Sequence, residues 1–307
     1  MGGVLEGFFT IGAVIALGAL LAHRGILDLD SQVLLSRLSF FVASPALMIT
    51  VLADADLGEV FSQTLAASVA GVVASGGLYV LAARLAWRRD LAHTVIGTLS
   101  SMYVNAGNLG LPIAAYVLGD ATLVAPILLL QMLVLQPVAL AVLDHATSSS
   151  PFRLRGVLLG PLRNPLTVGS LVGVALSLGG ITLPSAISDP LGLVGGMAVP
   201  AMLLAYGVSL RLGPRPGYGT SLREIGYITT LKLVVQPASA YAVGRYVLDL
   251  DEPALLAVTV LAALPTAQNI FVHATRYSRA VVVARDSIFL TTMLSVPVLL
   301  VIAAGLA

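Results

Sequence analysis

The chain has 307 residues, 58% of them apolar and only 10% charged, with a net charge of +1 and a mean hydropathy of +0.98. Soluble domains carry roughly 25% charged residues, so the solvent for most of this chain is lipid. A soluble enzyme, a disordered regulator and a nucleic-acid binder are excluded, the last because so few scattered arginines supply no phosphate footprint.

Apolar runs fall at 4–23, 33–53, 62–86, 93–118, 121–143, 165–183, 187–210, 224–247, 254–277 and 283–305, punctuated by charges and Pro/Gly clusters. At about 20 residues per crossing they predict ten transmembrane helices. The first run is too long for a signal-peptide core and has no basic residues before it, so it counts as a span. The longest connection, 144–163, contains Ser148-Ser149-Ser150-Pro151 and divides the chain into a first half, 1–143, and a second, 164–307. The absence of cysteine removes disulfides, thiolate metal sites and cysteine nucleophiles.

The basic residues fix an expected orientation. Arg24, Arg37, Arg84, Arg88, Arg89, Arg153, Arg155, Arg163, Arg211, Arg215, Arg223, Arg276, Arg279 and Arg285 all fall on one side of the ten-span scheme. The other side holds only Arg245, together with Asp54, Asp56, Glu59, Asp120, Asp189, Asp249, Asp251 and Glu252. The positive-inside rule then predicts a plasma-membrane protein (an inner membrane in bacteria) with both termini on the extracytoplasmic side.

Five spans per half means that the second half enters the membrane inverted. Ser44-Pro45-Ala46-Leu47-Met48 echoes Val199-Pro200-Ala201-Met202-Leu203; Asn108 and Tyr116 match Asn269 and Tyr277, and Pro137 matches Pro297, all at a near-constant offset. An inverted repeat is the pattern of a secondary transporter.

The chemistry concentrates in Ser100-Ser101-Met102-Tyr103-Val104-Asn105-Ala106-Gly107-Asn108-Leu109-Gly110-Leu111-Pro112. A helix that only crossed lipid would avoid this composition, because Gly107 and Gly110 weaken it and Pro112 breaks it. The spacing predicts unwinding over 107–111 and a restart at Pro112. Pro265-Thr266-Ala267-Gln268-Asn269 repeats the device in the ninth span. Two such broken helices would cross near the midplane and flank a substrate site built from amides and half-helix ends. The competing structural reading is a pair of proline kinks glued by Asn–Asn hydrogen bonds.

The Asn105–Pro112 run resembles the fourth-span signature of the auxin efflux carrier family, which includes plant PIN carriers and bacterial permeases, and Pro265–Asn269 is similar to that family's second crossover. Pro45 and Pro200 sit as its scaffold prolines do, and the long central loop of many plant members is missing. The resemblance covers nearly the whole chain and implies a fold similar to bile-acid sodium symporters. It further implies a scaffold of spans 1, 2, 6 and 7, a mobile core of spans 3–5 and 8–10, and elevator-type transport of a small organic anion such as a mono- or dicarboxylate or auxin-like acid. Self-association through the scaffold helices is a candidate arrangement.

Lys232 is the one formal charge well inside a span; it either faces the cavity with Gln236, one turn on, or snorkels to the headgroups. Asp286 is a candidate partner for it, and His273 a third coupling candidate beside Lys232 and Asp286. Gln131 and Gln136 either line the cavity or bond helix to helix. The expected partners are thus a small organic anion, the bilayer and a coupling proton or sodium ion, with no resident cofactor, metal or nucleic acid. A sodium-coupled organic-anion symporter and a cation/proton antiporter are the alternatives. The antiporter needs carboxylates at the crossing, and neither 105–112 nor 265–269 contains one. No His-Glu-x-x-His, paired intramembrane aspartates or serine–histidine pair points to an intramembrane enzyme.

Overall fold

The computed structural model describes residues 2–54, 63–147, 165–212 and 222–306, with the side chains of 2–8 and 275–276 left aside. Most of the expected connection 144–163, Arg215 and the acidic Asp56 and Glu59 lie outside the described residues. Among those described the protein is helical, and its one β-bridge is isolated. Five helices are long and apolar enough to cross a membrane: Leu29–Ala53, Gln63–Ala86, Ala121–Thr147, Ser185–Leu212 and Val281–Leu306. Phe9–His23, Pro165–Leu178 and Glu252–Ala262 are shorter apolar helices. Large apolar side chains such as Phe9, Leu178, Leu193 and Val301 are exposed, as lipid-facing residues are.

A recurrent local device follows from proline chemistry. Proline has no N–H, and its ring clashes with the carbonyl four residues back, so the helix must loosen one turn upstream. The π-helical turns Ser39–Ala43, Ala106–Gly110, Gln131–Leu135 and Leu231–Val235 each end two residues before a proline: Pro45, Pro112, Pro137 and Pro237. The wider i→i+5 turn makes the room the ring needs. Pro297, the expected counterpart of Pro137, instead sits inside the continuous helix Val281–Leu306.

The chain forms two compact units. The first contains Met1–Phe61, Gly107–Leu129 and Gly160–Pro214. In it, helix Gly2–His23 packs along Ala198–Leu212, and Pro165–Leu178 along Ser44–Ala53. Contact is backbone to backbone. A Cβ on Gly207 would overlap the Ile15 carbonyl, and one on Gly169 would lie 2.6 Å from the Pro45 carbonyl oxygen. Without a hydrophobic drive between helices in lipid, small residues that allow such close approach supply the packing energy.

The second unit contains Ser62–Ala106, Leu130–Leu159 and Arg215–Ala307. Helices Gln63–Leu81, Leu91–Met102 and Leu222–Thr230 meet there at Glu224, whose carboxylate is 1% exposed. Tyr79 Oη donates to it at 2.7 Å, His93 Nε2 lies 2.7 Å away, and Arg89 pairs with its other oxygen. A buried carboxylate is tolerable only with such a full set of partners.

Candidate functional site

The site belongs to the second unit and begins where two helices stop. Helix Leu91–Met102 gives way to extended backbone at Tyr103–Asn105, and helix Glu252–Ala262 ends before Leu264–Ala267. Val104 and Thr266 form an antiparallel bridge: Asn105 N–H donates to the Pro265 carbonyl at 2.9 Å and Ala267 N–H to the Tyr103 carbonyl at 3.1 Å. Each broken segment thereby satisfies the other's main chain.

The break lies upstream of the expected 107–111. Residues 106–110 form a π-turn and the α-helix resumes over Leu111–Tyr116 with Pro112 as its second residue. The glycines are tolerated in that loosened turn, whereas unwinding occurs where a partner strand receives the exposed backbone groups. The expected restart near Pro112 is present.

A helix end buried without partners for its last carbonyls is untenable in an apolar medium, and here each has one. The Leu99 carbonyl accepts from Tyr103 N–H, Ser100 from Thr266 Oγ1 at 2.6 Å, Ser101 from Ser75 Oγ, and Met102 from Gln236 Nε2 at 3.0 Å. At the second break the Ala262 carbonyl accepts from Lys232 Nζ at 3.0 Å. Thr266 N–H donates to Thr291 Oγ1, and Val104 N–H donates to Gln131 Oε1 at 2.6 Å. Gln131 is therefore a backbone clasp.

Asn105 is buried beside the bridge, and Asn269 begins helix Asn269–Tyr277 immediately after it. Asn269 Nδ2 and Tyr103 Oη both donate to Gln136 Oε1, at 3.3 and 3.1 Å, so Gln136 joins the two interruptions. Asn269 Oδ1 is buried without a protein hydrogen-bond partner. Thr266 and Pro265 are buried in the bridge, and Gln268, two residues on from Thr266, is half-buried. Gly107, Asn108, Gly110 and Pro112 belong to the first unit, where Leu166 packs nearest to Gly107.

Of the two readings of Lys232, the structure excludes snorkelling and places the side chain beside Gln236. Its side chain is fully buried, so it does not snorkel; its ammonium donates to Gln236 Oε1 at 2.7 Å and to the Ala262 carbonyl. The proposed pairing with Asp286 is not formed. Asp286 lies in the second turn of Val281–Leu306 and takes Arg285 Nε at 2.6 Å, a nearer cation on its own helix. His273 stands one turn into Asn269–Tyr277 and is half-buried. Ser75 and Thr291 leave no mark in the sequence, because small hydroxyl residues are common in membrane helices and only the structure shows these two facing the breaks.

The chain matches the family described as membrane transport protein over residues 4–152 and 142–303. It belongs to that family. The likeness of its fourth and ninth spans to auxin efflux carriers agrees with this membership. An "Uncharacterized transporter" of Methanothermobacter thermautotrophicus is 29% identical over 302 residues, covering 95% of each chain. A protein of Rhizobium meliloti named "Putative malonate transporter" is 30% identical over 219 residues, 68% of this chain and 66% of its own. This membrane transport protein is therefore a multi-pass membrane protein.

Proposed function

We propose that the protein is a secondary transporter of a small organic anion, a mono- or dicarboxylate, bound beside the paired breaks of the second unit. The carrying observation is the Val104–Thr266 bridge with Asn105 and Asn269 at its edges. Neutral amides and the positive end of helix Asn269–Tyr277 suit a carboxylate, and no acidic residue lies in 100–106 or 263–271 to repel one. The name of the Rhizobium relative supports the substrate class. Thr266, Gln268 and Pro265 complete this set, with His273 and Asp286 as candidates for proton coupling. Access alternates by an elevator motion in which the crossover travels with its own compact unit.

Ten crossings in two inverted halves, with both termini outside, complete the reading. A reporter inserted at Ser150 is expected to be accessible from the cytoplasm only, and reporters at either terminus from outside only. Access to the Ser150 reporter from outside would reverse the whole alternation.

Malonate at about 100 times its Kd should stabilise the purified protein by ~2.7 kcal/mol. Replacing Asn105 or Asn269 by alanine should weaken that binding by about 1–3 kcal/mol, through lost or orphaned hydrogen bonds. Titration calorimetry with malonate and related carboxylates tests this. Unchanged affinity combined with a lower melting temperature would assign the asparagines to helix–helix bonding instead.

A further inference from the structure

Lys232 and Gln236 lie one turn apart, at the π-turn Leu231–Val235 and the first residue of helix Gln236–Tyr246. Between them they reach the last carbonyl of both broken helices. Lys232 Nζ takes Ala262 of Glu252–Ala262, Gln236 Nε2 takes Met102 of Leu91–Met102, and Gln236 Oε1 returns to the ammonium at 2.7 Å. The chain Ala262 carbonyl, ammonium, carboxamide, Met102 carbonyl is continuous and buried, Lys232 and Gln236 being 0% and 1% exposed.

Charge magnitudes fit this arrangement. The carbonyl end of a helix carries roughly half a negative elementary charge. Two such ends meeting at the crossover sum to about one, which a single ammonium offsets, with the Gln236 dipole passing its influence to the second end. Unwound carbonyls and half-helix C-termini are also the groups with which transporters hold a coupling cation. Here both carbonyl ends are already taken by side chains.

We propose that Lys232 is a tethered counter-cation of the crossover, occupying with Gln236 the position a bound alkali cation would fill, so that the cycle needs no sodium. This rests on the transport reading above for its cycle, but not for its cation chemistry. Lys232 is a positioning residue: it holds the paired breaks in register and does not meet the substrate.

The test compares the full-length protein in sodium chloride and in choline chloride, reading both melting temperature and uptake of labelled malonate into proteoliposomes. The parent should melt and transport alike in the two salts. Lys232→Met should lose about tenfold or more in uptake, the effect of one orphaned buried group, while Lys232→Arg should retain more of it. Lys232→Ala opens an oxygen-lined space, so its melting temperature and uptake should rise in sodium relative to choline. A parent that melts higher or transports only in sodium would overturn the proposal. So would Lys232→Met at the parental rate, or a folded Lys232→Ala that sodium neither stabilises nor reactivates. If Lys232→Ala fails to fold in either salt, the parent comparison and the Met–Arg pair decide. A parent that takes up no carboxylate would sink the transport reading alone, because melting in the two salts still reports on Lys232.

Discussion

Glu224→Ala is expected to destabilise the protein by about 3–5 kcal/mol, the cost of removing one partner from a buried charged cluster. The carboxylate receives Tyr79 and His93 from two other helices and Arg89 from the connection between them. Without it the Tyr79 hydroxyl, 0% exposed, has no acceptor there, and the Arg89 guanidinium loses its counter-charge. Arg89 is 36% exposed, so water recovers part of its share and the lower end of the range applies to that pair. Glu224→Gln keeps an acceptor for Tyr79 and should cost clearly less than alanine. Unfolding of the purified protein in denaturant measures both variants. Equal costs would place the whole effect in the charge, and a neutral alanine would show that the three helices meet without this carboxylate.

Gly207→Leu should be as damaging, for a steric reason. The helices Gly2–His23 and Ala198–Leu212 approach so closely that a Cβ at 207 overlaps the Ile15 carbonyl and lies 2.7 Å from the Ala19 nitrogen. Backbone cannot move aside as a side-chain tip can. Alanine should cost about 1–3 kcal/mol as an overpacked contact, and leucine more. Gly12, on the same first helix, has nothing within 4 Å of its would-be Cβ. Gly12→Ala should be neutral or stabilise by roughly 0.5–1 kcal/mol, since alanine loses less entropy in a helix. Thermal unfolding of the two alanine variants separates the explanations: similar behaviour at 12 and 207 would refute close packing as the role of Gly207.

The helical character is legible from the apolar runs, and the interruptions after Leu91–Met102 and Glu252–Ala262, with the amides beside them, because they violate what lipid rewards. The exact place of the first break is not. Glycine and proline mark where a helix is weak, but the unwound stretch sits at Tyr103–Asn105, where Pro265 and Ala267 supply partners. That pairing is a tertiary fact with no local trace. Lys232 stands out in the sequence, and so does its neighbour Gln236 one turn on. The carbonyl partner of Lys232, Ala262, is 30 residues away and invisible to any periodicity. Glu224 begins an apolar run and so reads as an interfacial charge in the sequence; its partners come from residues 79, 89 and 93. Gln131 and Gln136 are visible in the sequence as polar residues, and only the geometry separates a backbone clasp from a cavity wall.

The side chains that complete helix Leu91–Met102 lie 134 and 166 residues downstream, at Gln236 and Thr266. Ribosomes add about 5–20 residues per second, so those carbonyls wait roughly 7 to 30 s for their partners during synthesis. Assembly of the membrane protein is therefore ordered in time. The glycine-packed pair Gly2–His23 and Ala198–Leu212 can close once residue 212 has emerged, while the bridge is finished only after Thr266 arrives. A chain interrupted before residue 266 would present an uncapped polar helix end inside the bilayer, a marker by which cellular quality control could distinguish the incomplete carrier from the finished one.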